Sequence, residues 1–154
     1  MNVTDAKRLA RQLMDEHGLK DIPVVFDNAK NRRGICRYNW TGIENIGLSR
    51  YFINLNDESI VRNTILHEIA HALVGPHHGH DRVWRRKAIE IGCTGERCSS
   101  GVERLPGRFK ATCDCGQVYY KHRKGKNVLL NNYWICRKCN SKIQFVDTLE
   151  RILV

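Results

Sequence analysis

One apolar run of twelve residues constrains this chain more than any other: it contains His67, Glu68 and His71 and ends at Gly75. The two histidines are four positions apart, so on a helix their side chains lie one above the other on the same face. Both imidazoles can then reach one metal ion, and zinc accepts imidazole nitrogen and tolerates an open position for water. A glutamate beside the first histidine can take a proton from that water. The run therefore predicts a buried helix that carries a zinc site.

The third protein ligand of such a site has two candidates in the sequence. His80 follows His71 with eight residues between them, after a turn that lets the chain fold back. Glu90 follows His71 with 18 residues between them, on the next predicted helix, where one large class of zinc peptidases supplies a carboxylate. A shorter spacing that would use His77 is not met, because Val74 stands where that pattern has glycine. Spacing alone leaves His80 and Glu90 open.

Four cysteines in the last third of the chain form two close pairs, Cys113 with Cys115 and Cys136 with Cys139. Twenty residues separate the pairs, and they contain strand-like segments on either side of a polar turn. Close cysteine pairs that flank a hairpin are typical of a four-cysteine structural zinc site. A unit of roughly 40 residues rarely folds without a metal. The sequence therefore predicts a small β zinc ribbon.

The predicted domain boundary lies in a turn-rich stretch just before this ribbon. We predict a first domain over residues 1–105 and the ribbon over residues 106–154. In the first domain, helical spacing of apolar residues predicts a helix capped by Thr4, and a helix is predicted on either side of the His77 loop. Strands are predicted over residues 23–27, 34–40 and 46–54, and the ribbon strands over residues 117–120 and 128–134. The expected fold class is α+β.

The formal net charge of +10 is unevenly distributed. Residues 1–100 carry 15 basic and 12 acidic side chains, whereas residues 101–154 carry 11 and 4. A basic excess favours polyanions, of which nucleic acid is the first to consider. The basic turn of the ribbon and the aromatic residues around it resemble a surface that stacks bases and binds phosphates. The candidate contact residues are Tyr120, Arg123, Lys124, Lys126 and Trp134.

Nothing in the sequence predicts a membrane segment or an export signal. No stretch approaches the roughly 20 apolar residues of a membrane helix, and the first residues lack a basic region followed by an apolar one. We therefore expect a cytoplasmic protein with no membrane partner, whose seven cysteines are thiols or metal ligands. Cys93 and Cys98 have no second pair nearby and are interpreted as free thiols.

Several of these features together resemble the SprT-like metalloprotease family: the histidine–glutamate helix, His80 with Asp81 and Trp84, a basic helix, and the two cysteine pairs. The resemblance runs from near Gly34 to near Gln144. It implies a zincin-like domain of helices packed on a small mixed sheet, with His80 as the third zinc ligand. It also implies DNA-stimulated proteolysis with little sequence preference, and a ribbon that engages DNA, often with single-stranded character.

The predicted function is a zinc metalloendopeptidase that acts on proteins bound or crosslinked to DNA, with Glu68 as general base. One catalytic zinc would be held by three histidines and one structural zinc by the four cysteines. A strand within residues 47–54 is expected to align the substrate by strand addition.

Two other functions stay open. In a non-catalytic nucleic-acid-binding protein, the histidines would hold a structural metal closed by His77 or His78. A metal-dependent hydrolase of a non-peptide bond also fits, because the motif supports water activation without naming the bond that is cleaved.

Overall fold

The structure, a computed structural model, describes residues 1–97, 102–103, 106–123 and 134–148. The chain divides into two compact units, Met1–Leu105 and Pro106–Val154. Helices and small sheets occur together, which confirms the α+β class. Among the described residues, each helix is too short or too polar to span a lipid bilayer.

The described part of the first unit contains four helices and three strands. In chain order they are α1 (Val3–Glu16), β1 (Val24–Asp27), β2 (Gly34–Asn39), β3 (Gly42–Ser49), α2 (Arg50–Leu55), α3 (Glu58–Val74) and α4 (Arg82–Glu90). Helix α1 begins two residues earlier than expected, because the Asn2 side chain accepts the Asp5 backbone N–H at 2.9 Å. The prediction of Thr4 as the cap is therefore wrong, since Thr4 already lies in the helix.

The three strands form one sheet in the order β1-β3-β2. Strand β3 is parallel to β1 and antiparallel to β2, so both of its edges are occupied. Residues 50–55 are helix α2 rather than a continuation of the strand, because the Ser49 hydroxyl caps that helix and Phe52 and Ile53 are buried in the core. The expectation of a substrate-aligning strand within residues 47–54 is therefore wrong. Strand β2 is at the edge of the sheet.

Helix α3 lies in the middle of the core and has buried residues around most of its circumference. It begins after Asp57, whose side chain accepts the Ile60 backbone N–H at 3.0 Å, and ends at Gly75, where φ is +90°. A residue with a side chain rarely adopts that backbone conformation, which explains the glycine. The apolar side chains that bury α3 fix its position and rotation, and therefore those of its two histidines.

The second unit is built from short antiparallel strands. They are β4 (Phe109–Thr112), β5 (Val118–Lys121), β6 (Trp134–Ile135), β7 (Lys142–Ile143) and β8 (Val146–Asp147). Strands β5, β4 and β8 form one sheet, and β6 and β7 form a second. The buried core of the described part consists of Ala111, Cys113, Cys136 and Ile143, so half of its members are cysteines. The strand predicted over residues 128–134 lies outside the described residues except at its end.

Candidate active site

Three histidines converge at one point of the first unit. Helix α3 supplies His67 and His71, and the loop between α3 and α4 supplies His80. The His80 Nε2 atom lies 3.0 Å from Nε2 of His67 and 3.2 Å from Nε2 of His71. Glu90, the other candidate ligand, is exposed and bonds the Lys87 ammonium at 2.6 Å instead. The structure thus places His80, and not Glu90, beside the two helical histidines.

The spacing of the three ring nitrogens suits a tetrahedral metal ion. Zinc–nitrogen bonds of about 2.0–2.1 Å place two ligand nitrogens roughly 3.3 Å apart. The observed separations of 3.0 and 3.2 Å lie close to that value. The histidine group could therefore hold a metal ion with little movement of the side chains.

The electrostatics of the site keep these imidazoles neutral. Burial, together with the neighbouring histidines, lowers the pKa of His67 to about 3 and that of His71 to about 4. Burial also lowers the pKa of His80, with Arg97 adding to the effect. Three positive charges in so small a space would repel each other, whereas neutral imidazole is the form that binds metal. At neutral pH all three rings therefore have a lone pair to offer.

The second nitrogen of each helical histidine is fixed by the backbone. A ring N–H of His67 hydrogen-bonds the backbone of Glu96, and a ring N–H of His71 hydrogen-bonds the backbone of His78. Both bonds raise the pKa of the histidine, as expected for a carbonyl acceptor. Such bonds select the tautomer that leaves Nε2 free for the metal. Sequence reasoning missed both partners, because a backbone carbonyl leaves no signal in residue type.

Trp84 forms the floor of the histidine group. Its ring centroid lies 4.6 Å from that of His67, 5.2 Å from that of His71 and 4.6 Å from that of His80. Helix α4 presents it there because the Asp81 side chain caps that helix and accepts the Trp84 backbone N–H at 2.9 Å. The other oxygen of Asp81 bonds His78 Nδ1 at 2.7 Å. Asp81 thus holds both ends of the segment that carries His80.

Glu68 lies beside the histidines and points toward β2. Its side chain is 7% exposed, and burial raises its pKa to about 7. The backbone of Cys36 hydrogen-bonds the carboxyl group and, with Arg32, partly opposes that rise of the pKa. A carboxyl group with a pKa near neutrality can both accept and return a proton at physiological pH.

An open cavity of about 390 Å³ adjoins these groups. Strand β2 lines one side with Gly34, Ile35, Cys36 and Tyr38, and α3 lines the other with His67, Glu68 and His71. The Tyr38 hydroxyl donates to the His71 backbone carbonyl at 2.5 Å, and burial raises the pKa of this phenol. Sequence analysis did not single out Tyr38 as a site residue. The alternating pattern of its strand is the signal that the sequence offers, since β3 and α2 separate β2 from α3 along the chain.

The four cysteines of the second unit also converge. Sγ of Cys113 lies 3.3 Å from that of Cys139, and Sγ of Cys115 lies 3.6 Å from that of Cys136. Zinc–sulfur bonds of about 2.3 Å give sulfur separations of roughly 3.8 Å, so the four residues could hold one metal ion. The Tyr119 hydroxyl lies 3.2 Å from the Cys136 sulfur and lowers the pKa of that thiol to about 6. This hydrogen bond favours the thiolate, which is the form that binds metal.

The candidate nucleic-acid contact residues differ in how exposed they are and in what they pack against. Tyr120 is 50% exposed and lies in the row Tyr120–Lys110–Val146 across the sheet, where paired residues share a face. Trp134 is partly exposed, but the Lys121 ammonium lies over its ring, and the ring of Phe145 packs against it at 6.0 Å. Arg123 is exposed. Lys124 and Lys126 lie outside the described residues.

Of the two cysteines interpreted as free thiols, Cys93 is buried and contacts the Asn63 backbone carbonyl at 3.7 Å. Cys98 lies outside the described residues.

Comparison with known proteins gives one informative result. A family model described as SprT-like matches residues 5–104. The matched stretch includes the three histidines and Glu68 and ends before the four cysteines. No curated protein and no solved structure matches the chain significantly.

Proposed function

Because this chain belongs to the SprT-like family, we propose that it is a zinc metalloendopeptidase with a zincin-like first domain. A single observation carries the proposal. Three neutral imidazoles, two from α3 and one from the loop after it, converge beside the buried carboxyl group of Glu68. Ligands and a proton acceptor at adjacent positions are what hydrolysis by an activated water requires.

In this proposal His67, His71 and His80 hold the catalytic zinc. Zinc bound there would polarise the scissile carbonyl group and make water more acidic. The Glu68 carboxylate accepts the proton of the attacking water and delivers it to the leaving amine. Its burial supports this role, since a carboxyl group whose pKa is near 7 gives up a proton as readily as it takes one.

Strand β2 is the element we propose for aligning the substrate. It is an edge strand that lines the cavity, and among the described residues it pairs only with β3. An extended peptide can therefore add to its open edge through main-chain hydrogen bonds. The scissile bond would then lie between β2 and the histidines, within reach of the Glu68 carboxyl group.

The geometry speaks against the rival function, a non-catalytic protein with a structural metal at the histidines. A structural zinc site is closed by a fourth protein ligand. Among the described residues, the group around His67 contains only three ligand side chains. His78 is directed elsewhere, because its Nδ1 atom bonds Asp81 at 2.7 Å. A site with three ligands and an adjacent carboxyl group fits catalysis better.

For the second unit we propose a structural zinc and a DNA-binding face. The four cysteines would hold the zinc, and the Tyr120–Lys110–Val146 row supports DNA binding by offering an exposed ring beside a cation. Aromatic stacking is tolerant of base sequence and needs unpaired bases, which favours single-stranded DNA. The substrates would then be proteins bound or crosslinked to DNA.

The decisive experiment compares the wild-type protein with Glu68→Gln. Cleavage of a DNA-binding protein is measured with single-stranded, double-stranded or no DNA, and zinc is counted by native mass spectrometry. We expect two zincs in both proteins and DNA-dependent cleavage in the wild type only. Two zincs without cleavage under any condition would point to the binding protein, and unchanged cleavage by Glu68→Gln would remove Glu68 from the mechanism.

The DNA-binding face has its own test, in which Tyr120→Phe is the matched control for Tyr120→Ala. Fluorescence anisotropy with a labelled single strand should show about tenfold weaker binding for Tyr120→Ala, since stacking contributes about 1–3 kcal/mol per base. Tyr120→Phe keeps the ring and should bind like the wild type. Equal binding by all three proteins would place the DNA contact elsewhere.

A further inference from the structure

The catalytic carboxyl group is packed against a strand position that has no side chain. Gly34 is the first residue of β2 and pairs with Leu48 of β3. A Cβ atom built on Gly34 would lie 2.7 Å from both Cγ and Oε1 of Glu68 and 3.0 Å from its Cδ. Carbon atoms in contact are normally about 3.5–4.0 Å apart. The Glu68 side chain thus occupies space that any other residue at position 34 would take.

We propose that Gly34 is a positioning residue: it sets where the Glu68 carboxyl group lies, in a slot formed by the bare backbone of β2. This inference rests on the proposed peptidase function. The slot has a second wall, because the backbone of Cys36, two residues along the same strand, hydrogen-bonds the same carboxyl group. Strand β2 therefore positions the Glu68 carboxyl group in two ways: the Cys36 backbone hydrogen-bonds it, and Gly34 leaves room for it.

Glu68 cannot avoid an added methyl group by moving its helix. Neighbouring side chains of α3 are buried in the core, among them Ile65, Leu66 and Ile69 at 1% exposure or less. The carboxyl group itself is buried and must rotate away from β2 or be forced against it. Displacing a reacting group by about 1 Å can reduce turnover about 100-fold.

The role of Gly34 is not explained by backbone conformation. Its φ is not among the positive values found at six other glycines. The backbone conformation at position 34 therefore does not require glycine, and the three atoms nearest to an added Cβ all belong to the Glu68 side chain. This separates Gly34 from a glycine such as Gly75, which its φ of +90° requires.

The first test compares Gly34→Ala with a control, Gly18→Ala, at a glycine that does not line the cavity. Gly18 follows α1, and a Cβ atom there would meet nothing within 4 Å, so the cost of the control comes from its φ of +77° and falls on stability rather than on kcat. Steady-state kinetics on an unfolded protein substrate and zinc counting by mass spectrometry are run on both variants. We expect Gly34→Ala to keep two zincs and a KM within about threefold of the wild type, while its kcat falls about 100-fold. The control should keep its kcat within about threefold.

The second test needs no activity. The thermal stability cost of Gly34→Ala is measured in the wild type and in a Glu68→Ala background, which removes the side chain that the methyl group meets. We expect a clear loss of stability in the first case and none in the second, because coupling between contacting residues vanishes when one partner is gone. This cycle still decides the matter if Gly34→Ala folds poorly.

The outcomes separate a failure of the proposed peptidase function from a failure of the positioning role of Gly34. An inactive wild type defeats the proposed function and leaves the stability cycle to test the contact. An active wild type with an equally active Gly34→Ala overturns the positioning role. The same cost of Gly34→Ala in both backgrounds, or loss of zinc from Gly34→Ala, also overturns it, since the glycine would then serve the strand or the metal rather than the carboxyl group.

Discussion

The side chain of Asn63 accepts a hydrogen bond from the backbone N–H of Thr94 at 2.9 Å. Asn63 lies one turn before His67 on α3, and Thr94 begins the short segment whose Glu96 backbone bonds the His67 ring. The Thr94 hydroxyl in turn accepts the Glu96 backbone N–H at 3.4 Å. A chain of hydrogen bonds thus runs from α3 through residues 94–96 and back to the ring of His67 on the same helix.

Asn63→Ala should weaken zinc binding at the histidine site by about 10–100-fold, the usual effect of losing a partner that orients a ligand. Zinc affinity is measured by competition with a chromogenic chelator. Asn2→Ala is the matched control, because it removes a helix cap in α1, where the Asn2 side chain hydrogen-bonds Asp5. The control should lose about 1 kcal/mol of stability and keep its zinc affinity. Equal affinities in both variants would show that this chain of hydrogen bonds does not orient His67.

The buried carboxyl group predicts a pH-dependent cost to stability in the metal-free protein. The pKa of Glu68 is about 7 in the folded chain against 4.5 for an ordinary glutamate, so the folded state binds more protons between these values. Protonation of Glu68 therefore stabilises the folded chain fully below about pH 4.5, and this stabilisation is lost as the pH rises through 7.

Glu68→Gln removes this dependence. Its advantage in unfolding free energy over the wild type should grow by about 3 kcal/mol between pH 4 and pH 8. Urea unfolding of both proteins in excess chelator checks this. The histidines have lowered pKa values and also titrate, but they are present in both proteins and largely cancel in the difference. A constant difference across pH would mean that Glu68 is not a buried acid.

Removing one thiol should unfold the second unit and leave the first unit folded. Cys136 is fully buried and belongs to a described core in which half of the members are cysteines. Cys136→Ser should reduce zinc from two ions per chain to one, and the amide signals of the ribbon should collapse to unfolded positions in an NMR spectrum. Cys93→Ala, a buried cysteine outside both metal groups, should keep two zincs. A folded ribbon in the serine variant would contradict its dependence on metal.

The Tyr38 hydroxyl should contribute modestly to stability. In Tyr38→Phe the His71 carbonyl loses one donor but keeps the Gly75 backbone N–H at 3.0 Å. The expected cost is about 1 kcal/mol, with no change in zinc content. Thermal unfolding and metal analysis check both points. Loss of zinc would show that Tyr38 also fixes the position of the His71 ring.

Features coded by neighbouring residues were predictable from the sequence. Helix α3 has a cap at Asp57, a glycine stop and apolar residues on both sides of its histidines, so its bounds and its two histidines follow from local chemistry. Helix α2 was misread as strand because its six residues are too few to show a helical period, and its burial in the core decides its conformation.

Other parts of the site depend on contacts between distant segments. Choosing His80 over Glu90 required the path of the loop, which spacing left open. The backbone groups of Glu96 and His78 that hydrogen-bond His67 and His71 cannot be predicted from residue type, because every residue has the same backbone groups. The meaning of Gly34 appears only when Glu68 is seen lying against it.

Among the described residues one edge of β2 is unpaired, and this edge restricts the shape of anything that pairs with it. The strand has six residues, which span roughly 20 Å at about 3.3 Å each. A partner must lie extended over a comparable length with one edge free, which excludes a helix and a strand that is already paired on both sides inside a packed domain. A folded target would first have to open locally, at a free-energy cost set by its own stability. Damaged, frayed or partly denatured proteins would then be selected over intact ones without any recognition of sequence.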